Sequence, residues 1–159
     1  MPQFSNTQKV TNSIFSFNHD GVVYDYDIET VVGESDDYDL VTLSNDTGYV
    51  QSLSNGFTKN LVVEPRKRGY GYGFLLMKAV IFYINYKYKC EEFYGFLIHP
   101  ATVVYRERIF TTNKYMLKYA DQERLTELTS VEAIKVLDEA LNDEADQRYV
   151  IATSSGIIK

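Results

Sequence analysis

The chain is poor in the residues that build redox and metal chemistry. It has one cysteine, Cys90, and two histidines, His19 and His99, in 159 residues. A lone thiol makes no intramolecular disulfide, and that usage fits a reducing compartment. Cys90 follows a strongly apolar run and reads as a packing residue. With His and Cys this sparse, no cluster has the spacing of a metal site, and no metal is expected. The most apolar stretch, Phe74–Ile84, is well short of the ~20 residues that cross a membrane. No basic segment followed by an apolar one opens the chain, so no secretory signal is expected. The expected location is cytoplasmic, without membrane attachment. Bases are scarce at the start: residues 1–58 hold nine acids and one base, Lys9.

The composition is otherwise that of a globular domain. Hydrophobic residues make up 45% and charged residues 24%, which excludes a wholly disordered chain and a coiled coil. The length fits one domain over 1–159, large enough to bury a core unaided. The net charge of −6 argues against a general nucleic-acid binder. That sum hides three unlike segments: −8 over 1–58, +7 over 59–119 and −5 over 120–159. Such asymmetry points to a local anionic ligand in the middle segment.

The first third reads as antiparallel β structure. Ile14–Phe17, the turn cluster Asn18–Gly21 and the alternating run Val22–Ile28 form one hairpin. Asp25, Asp27 and Glu29 share one face at period two. Gly33–Asp39 reads as an acidic loop, and Leu40–Leu43 and Tyr49–Leu53 flank a second turn at Ser44–Gly48. Phe57–Val63 is a further strand, making four or five in all. The middle then changes character, with an apolar helix over Phe74–Tyr88 that is expected to be buried. Glu92–Ile98 is expected as a strand, Ala101–Phe110 as a short helix and Asn113–Tyr119 as another strand. In the tail, Thr129-x-x-Glu132 is a capping-box pattern. Val131, Ile134, Leu137 and Leu141 recur at helical spacing up to Asn142, and Tyr149–Thr153 is a last strand.

One segment carries chemistry. A strand ends at Val63, a basic and glycine-rich loop follows (Glu64-Pro65-Arg66-Lys67-Arg68-Gly69-Tyr70-Gly71-Tyr72-Gly73), and a helix begins. Glycines at 69, 71 and 73 permit positive φ and close backbone approach. A helix start offers up to four unpaired amides, so together they suit a phosphate or pyrophosphate. A P-loop would need Gly-Lys-Ser/Thr where this chain has Gly73-Phe74-Leu75. A dinucleotide fingerprint would need G-x-G-x-x-G within an early βαβ unit, and here antiparallel strands come first.

Val63-x-Pro65-x-x-Arg68-Gly69-Tyr70-Gly71-Tyr72-Gly73 resembles the acetyl-CoA signature of the GNAT superfamily of N-acetyltransferases, V-x-P-x-x-R-G-x-G-x-G/A. Downstream, Ala101, Tyr105 and Phe110 match the family's N-x-x-A-x-x-x-Y-x-x-x-G-F, although Ile109 replaces the usual glycine and His99 lies one residue from the usual asparagine. The resemblance covers about 57–119. It implies an α+β fold with a mixed sheet, a central helix after the glycine loop, and strands splayed apart at the cofactor. It implies that the amides of Arg68, Gly69, Tyr70, Gly71, Tyr72, Gly73 and Phe74 hold the CoA pyrophosphate. Leu61, Val62 and Val63 would pair with the pantetheine arm, and Tyr105 would protonate the departing thiolate. The phenol–thiolate step is chemically sound, with ordinary pKa values of about 10 and 8.5.

Two departures stand beside the match. Many family members carry a glutamate base four to six residues ahead of the signature valine, where this chain has Phe57, Thr58 and Lys59. His99 is the nearest residue with a suitable ordinary pKa; Glu64 and a water chain are the other candidates. The helices that wall the family's acceptor cleft are also missing from residues 14–58, so either 30–39 forms a short irregular replacement or that half is rebuilt. The expected function is acetyl transfer from acetyl-CoA to an amine, with a cationic acceptor favoured by the −8 segment. The alternative is an inactive GNAT-like protein that binds a protein partner. A homodimer stays open.

Overall fold

The computed structural model describes residues 8–142 and 148–158, with side chains from 13 onward. It is an α+β fold of antiparallel sheets and three α-helices, arranged in two compact units, 1–90 and 91–159. The first unit holds β1 (Gln8–His19), β2 (Val22–Ser35), β3 (Tyr38–Asn45), β4 (Gly48–Leu53), β5 (Thr58–Val63) and α1 (Tyr72–Tyr88). The second holds β6 (Glu92–Leu97), α2 (Ala101–Ile109), β7 (Phe110–Tyr119), β8 (Leu125–Leu128), α3 (Ser130–Leu141) and β9 (Arg148–Ile157).

The first sheet is a five-strand meander in chain order. Its hairpins follow from turn chemistry: Asp20 and Gly21 both take positive φ, as do Asp36 and Asp37, a conformation that Asp and Gly reach at the least cost. The expected acidic loop over 33–39 is therefore corrected to a two-residue turn, because β2 continues to Ser35 past an irregularity in its pairing with β3. No helix lies between the first strands, and residues 30–39 are strand and turn. Alternation in β2 buries Tyr26, Ile28 and Thr30 and leaves Asp25 and Asp27 exposed.

Helix α1 packs across this sheet and is buried along most of its length, from Gly73 to Ile84. Phe15 meets Tyr83, Phe17 meets Phe82 and His19 meets Phe74, each edge-on at 5.3–5.7 Å between ring centres. Lys78 Nζ lies 5.6–5.9 Å from the rings of Phe17, Phe74 and Phe82. It also donates to His19 Nδ1 at 3.1 Å, since an ammonium can only donate. At the far end, Lys89 closes the helix in the left-handed conformation, and Tyr88 Oη donates to Asp39 Oδ2 at 2.9 Å.

The second sheet runs β6-β9-β7-β8. The ladders of both sheets are antiparallel among the described residues, in place of the mixed sheet expected. One core cluster joins Leu97, Val103, Tyr115, Leu117, Ala133, Leu137, Val150 and Ala152. The capping box on α3 is present: Thr129 Oγ1 accepts from the Glu132 amide, and Glu132 accepts from the Thr129 amide.

Three tyrosines make stability pH-dependent on the alkaline side. Burial, then the neighbouring Tyr24, pushes Tyr26 up to about 12. Burial and the bond to Asp39 raise Tyr88, and burial and the bond to Glu107 raise Tyr115. A phenol raised in the fold stabilises fully below its ordinary value of about 10 and loses that contribution as pH climbs through the folded value. Arg106 acts in the opposite sense, since burial lowers it to about 10. The expected result is a melting temperature that falls above about pH 10, with a gentler fall in Tyr88→Phe and Tyr115→Phe. Equal alkaline slopes in the wild type and both variants would contradict it.

Candidate functional site

The glycine loop begins where β5 ends. Glu64 donates its amide to the Thr47 carbonyl at 2.9 Å, and a single 3₁₀ turn follows over Pro65–Lys67. Proline suits the first position of such a turn because it has no amide to leave unpaired. Arg68 is extended, and its Nε donates back to the Val63 carbonyl at 3.1 Å. Lys67 Nζ lies 3.8 Å from Asp46, and Arg66 is exposed. A shallow depression beside the loop is lined by Asp46, Glu64, Pro65, Arg66 and Lys67.

The glycines then reverse the chain into α1. Gly69 has φ 87° and Gly71 has φ 84°. Gly71 is the helix N-cap, and having no side chain it makes no capping bond to the amides that follow. The first helical bond runs from the Leu75 amide to the Gly71 carbonyl at 3.2 Å. The amides of Tyr72 and Gly73 precede that bond and have no acceptor within the helix. The first turn holds no acid, so nothing there offsets the positive end of the helix dipole. A Cβ built at Gly69 or Gly71 would meet nothing within 4 Å beyond the adjoining residues, so the outer side of the two glycines is open.

Leu61, Val62 and Val63 lie on the outer strand of the first sheet, where β5 pairs with β4 alone. An edge strand presents backbone donors and acceptors to an incoming extended chain. At 57–59, where the resemblance led one to expect a carboxylate, stand Phe57, Thr58 and Lys59. Thr58 Oγ1 is buried without a hydrogen-bond partner, and a hydroxyl is no general base near neutral pH.

In the second unit, His99 follows β6 and is exposed. Its Nδ1 accepts from the Ala101 amide at 3.1 Å, and its carbonyl accepts from the Thr102 amide and hydroxyl. The ring thus caps the start of α2. With Nδ1 an acceptor, the neutral ring carries its proton on Nε2. His99 acts as a base only by releasing that bond or changing tautomer. Tyr105 is half-buried on α2.

Arg106, beside Tyr105, had no role in the sequence pattern. It is 1% exposed, one of the most enclosed side chains in the protein. Its Nη1 donates to the Phe93 carbonyl at 3.2 Å and to Ser154 Oγ at 2.8 Å. Its Nε has no partner. A signal for this burial was present: Val103, Arg106 and Ile109 repeat at i, i+3 and are all buried.

No family model, curated protein or solved structure matches the chain.

Proposed function

We propose that the chain is an acyl-CoA-dependent N-acyltransferase that moves an acetyl group from acetyl-CoA to an amine by direct attack. The observation that carries this reading is the loop itself. Two left-handed glycines turn an edge strand into a helix start that has glycine as its N-cap and no acid in its first turn. The likeness of 63–73 to the GNAT signature adds the ligand class. In this reading Leu61–Val63 pair with the pantetheine arm and the amides of Arg68–Phe74 hold the pyrophosphate. The amine nitrogen attacks the thioester carbonyl, the carbon–sulfur bond breaks, and Tyr105 gives its proton to the thiolate. The amine proton leaves to His99 or to water. The finer family features, strands splayed around the cofactor among them, belong to this proposal, as do a cytoplasmic location and a cationic acceptor drawn by Asp25, Asp27 and Glu29.

A second reading, an inactive relative that binds a protein partner, draws on two observations. Residues 22–35 form a strand where the family has helices, and no carboxylate stands at 57–59. Isothermal titration with acetyl-CoA, followed by a thiol-release assay over a panel of amines, separates the two. Binding with amine-dependent thiol release is expected. Binding without release favours the second reading, and no binding at about millimolar cofactor (a free energy near −4 kcal/mol) removes the first.

A further inference from the structure

We propose that Arg106 is a positioning residue for Tyr105, holding α2 at one rotation on the second sheet through a closed ring of hydrogen bonds. The proposal rests on the acyl-transfer reading for the role of Tyr105, but not for the ring itself. Arg106 Nη1 donates to Ser154 Oγ on β9 at 2.8 Å, and Ser154 Oγ donates to Asn113 Oδ1 on β7 at 2.6 Å. Asn113 Nδ2 returns to the Arg106 carbonyl at 3.3 Å. A further bond ties Nη1 to Phe93 on β6. Both the side chain and the backbone of one residue are thereby fixed to three strands.

No carboxylate is among these partners, so the buried guanidinium is a costly way to fill space. An apolar side chain of similar volume often stabilises a fold as well or better. What an apolar contact does not supply is direction. Val103 and Ile109, the other buried residues on that face, allow a short helix to roll, whereas directional hydrogen bonds from Nη1 and the carbonyl of Arg106, closed into a ring, hold one geometry even with Nε left unpaired. Tyr105 is the adjacent residue, so the rotation that fixes Arg106 also fixes the direction in which the Tyr105 side chain leaves the helix. A helix side-chain tip lies about 6 Å from the axis, and a roll of about 10° moves it by about 1 Å. A misplacement of that size can cost on the order of 10²-fold in rate.

The test uses protein labelled with 3-fluorotyrosine, with the Tyr105 fluorine line assigned by its loss in Tyr105→Phe. In Arg106→Met and in the milder Ser154→Ala, that line is expected to shift or broaden while the lines of Tyr24, Tyr26 and Tyr38 stay in place. In acetyl transfer, kcat is expected to fall roughly 10- to 100-fold at unchanged KM for acetyl-CoA. The same substitutions are expected to add no loss in a Tyr105→Phe background. An unchanged Tyr105 line in both variants overturns the proposal, and so does an equal loss in the two backgrounds. If Arg106→Met does not fold, Ser154→Ala carries the test. If the wild type transfers no acetyl group, the acyl-transfer reading falls while the fluorine line still decides whether Arg106 holds Tyr105.

Discussion

Replacing Gly71 with valine is expected to abolish measurable acetyl-CoA binding while leaving the protein folded. Gly71 sits at φ 84° as the N-cap of α1, and a side chain in the left-handed region costs about 1–2 kcal/mol. That is a fraction of the roughly 5–15 kcal/mol that stabilises an ordinary domain. The added Cβ meets no atom within 4 Å beyond the adjoining residues, so the cost to the fold is backbone strain. The new methyl groups stand beside the loop amides. Each charge-assisted bond lost from a pyrophosphate is worth roughly 1.5–3 kcal/mol. Losing two weakens binding by about two to four orders of magnitude. Titration of wild type and Gly71→Val with acetyl-CoA, beside a circular-dichroism melt, reads both effects. Equal affinity in a folded Gly71→Val protein would mean that the loop is only a turn.

The elements that came through from the sequence are those with a strong local code. Helix α1 was visible because apolar helix formers run from Phe74 to Ile84, and α3 because Thr129 and Glu132 cap it reciprocally. The meander was visible because each turn carries Asp, Asn or Gly at the reversal. What stayed hidden depended on partners distant in the chain. Strand β8 is mostly exposed at a sheet edge, so Leu125–Leu128 carries no alternation between buried and exposed faces. The acidic stretch 33–39 looked like a loop because its polarity is high, yet β2 extends to Ser35 by pairing with β3.

The candidate site divides in the same way. Positive φ at Gly69 and Gly71 was legible, since glycine at alternate positions before a helix has few other uses. The fates of the neighbouring bases were not. Arg68 turns its Nε to the Val63 carbonyl, and Lys67 leans toward Asp46. Part of the positive charge read into the loop is thus engaged by the protein itself. His99 looked like a base because of its ordinary titration range, and its ring instead caps α2 through Nδ1. Arg106 had no role in the sequence pattern. Its burial follows from Phe93, Asn113 and Ser154, which the chain brings together from three strands.

Tyr105→Phe is expected to lower kcat by about 10²–10⁴-fold near neutral pH, with acetyl-CoA affinity unchanged. The substitution removes one hydroxyl and keeps the ring that half-fills its place on α2. The signature of general-acid loss is its dependence on pH. A leaving thiolate has an ordinary pKa of about 8.5, so below that value it needs a proton as it departs, and above it the thiolate leaves unaided. The deficit of Tyr105→Phe should therefore shrink as pH rises through about 8.5, while a loss caused by disturbed packing would stay constant across the same range. Steady-state kinetics of both proteins over that interval, with acetyl-CoA saturating, separates the two. A constant deficit would leave Tyr105 a packing residue, and the departing sulfur would then draw its proton from water or from another donor.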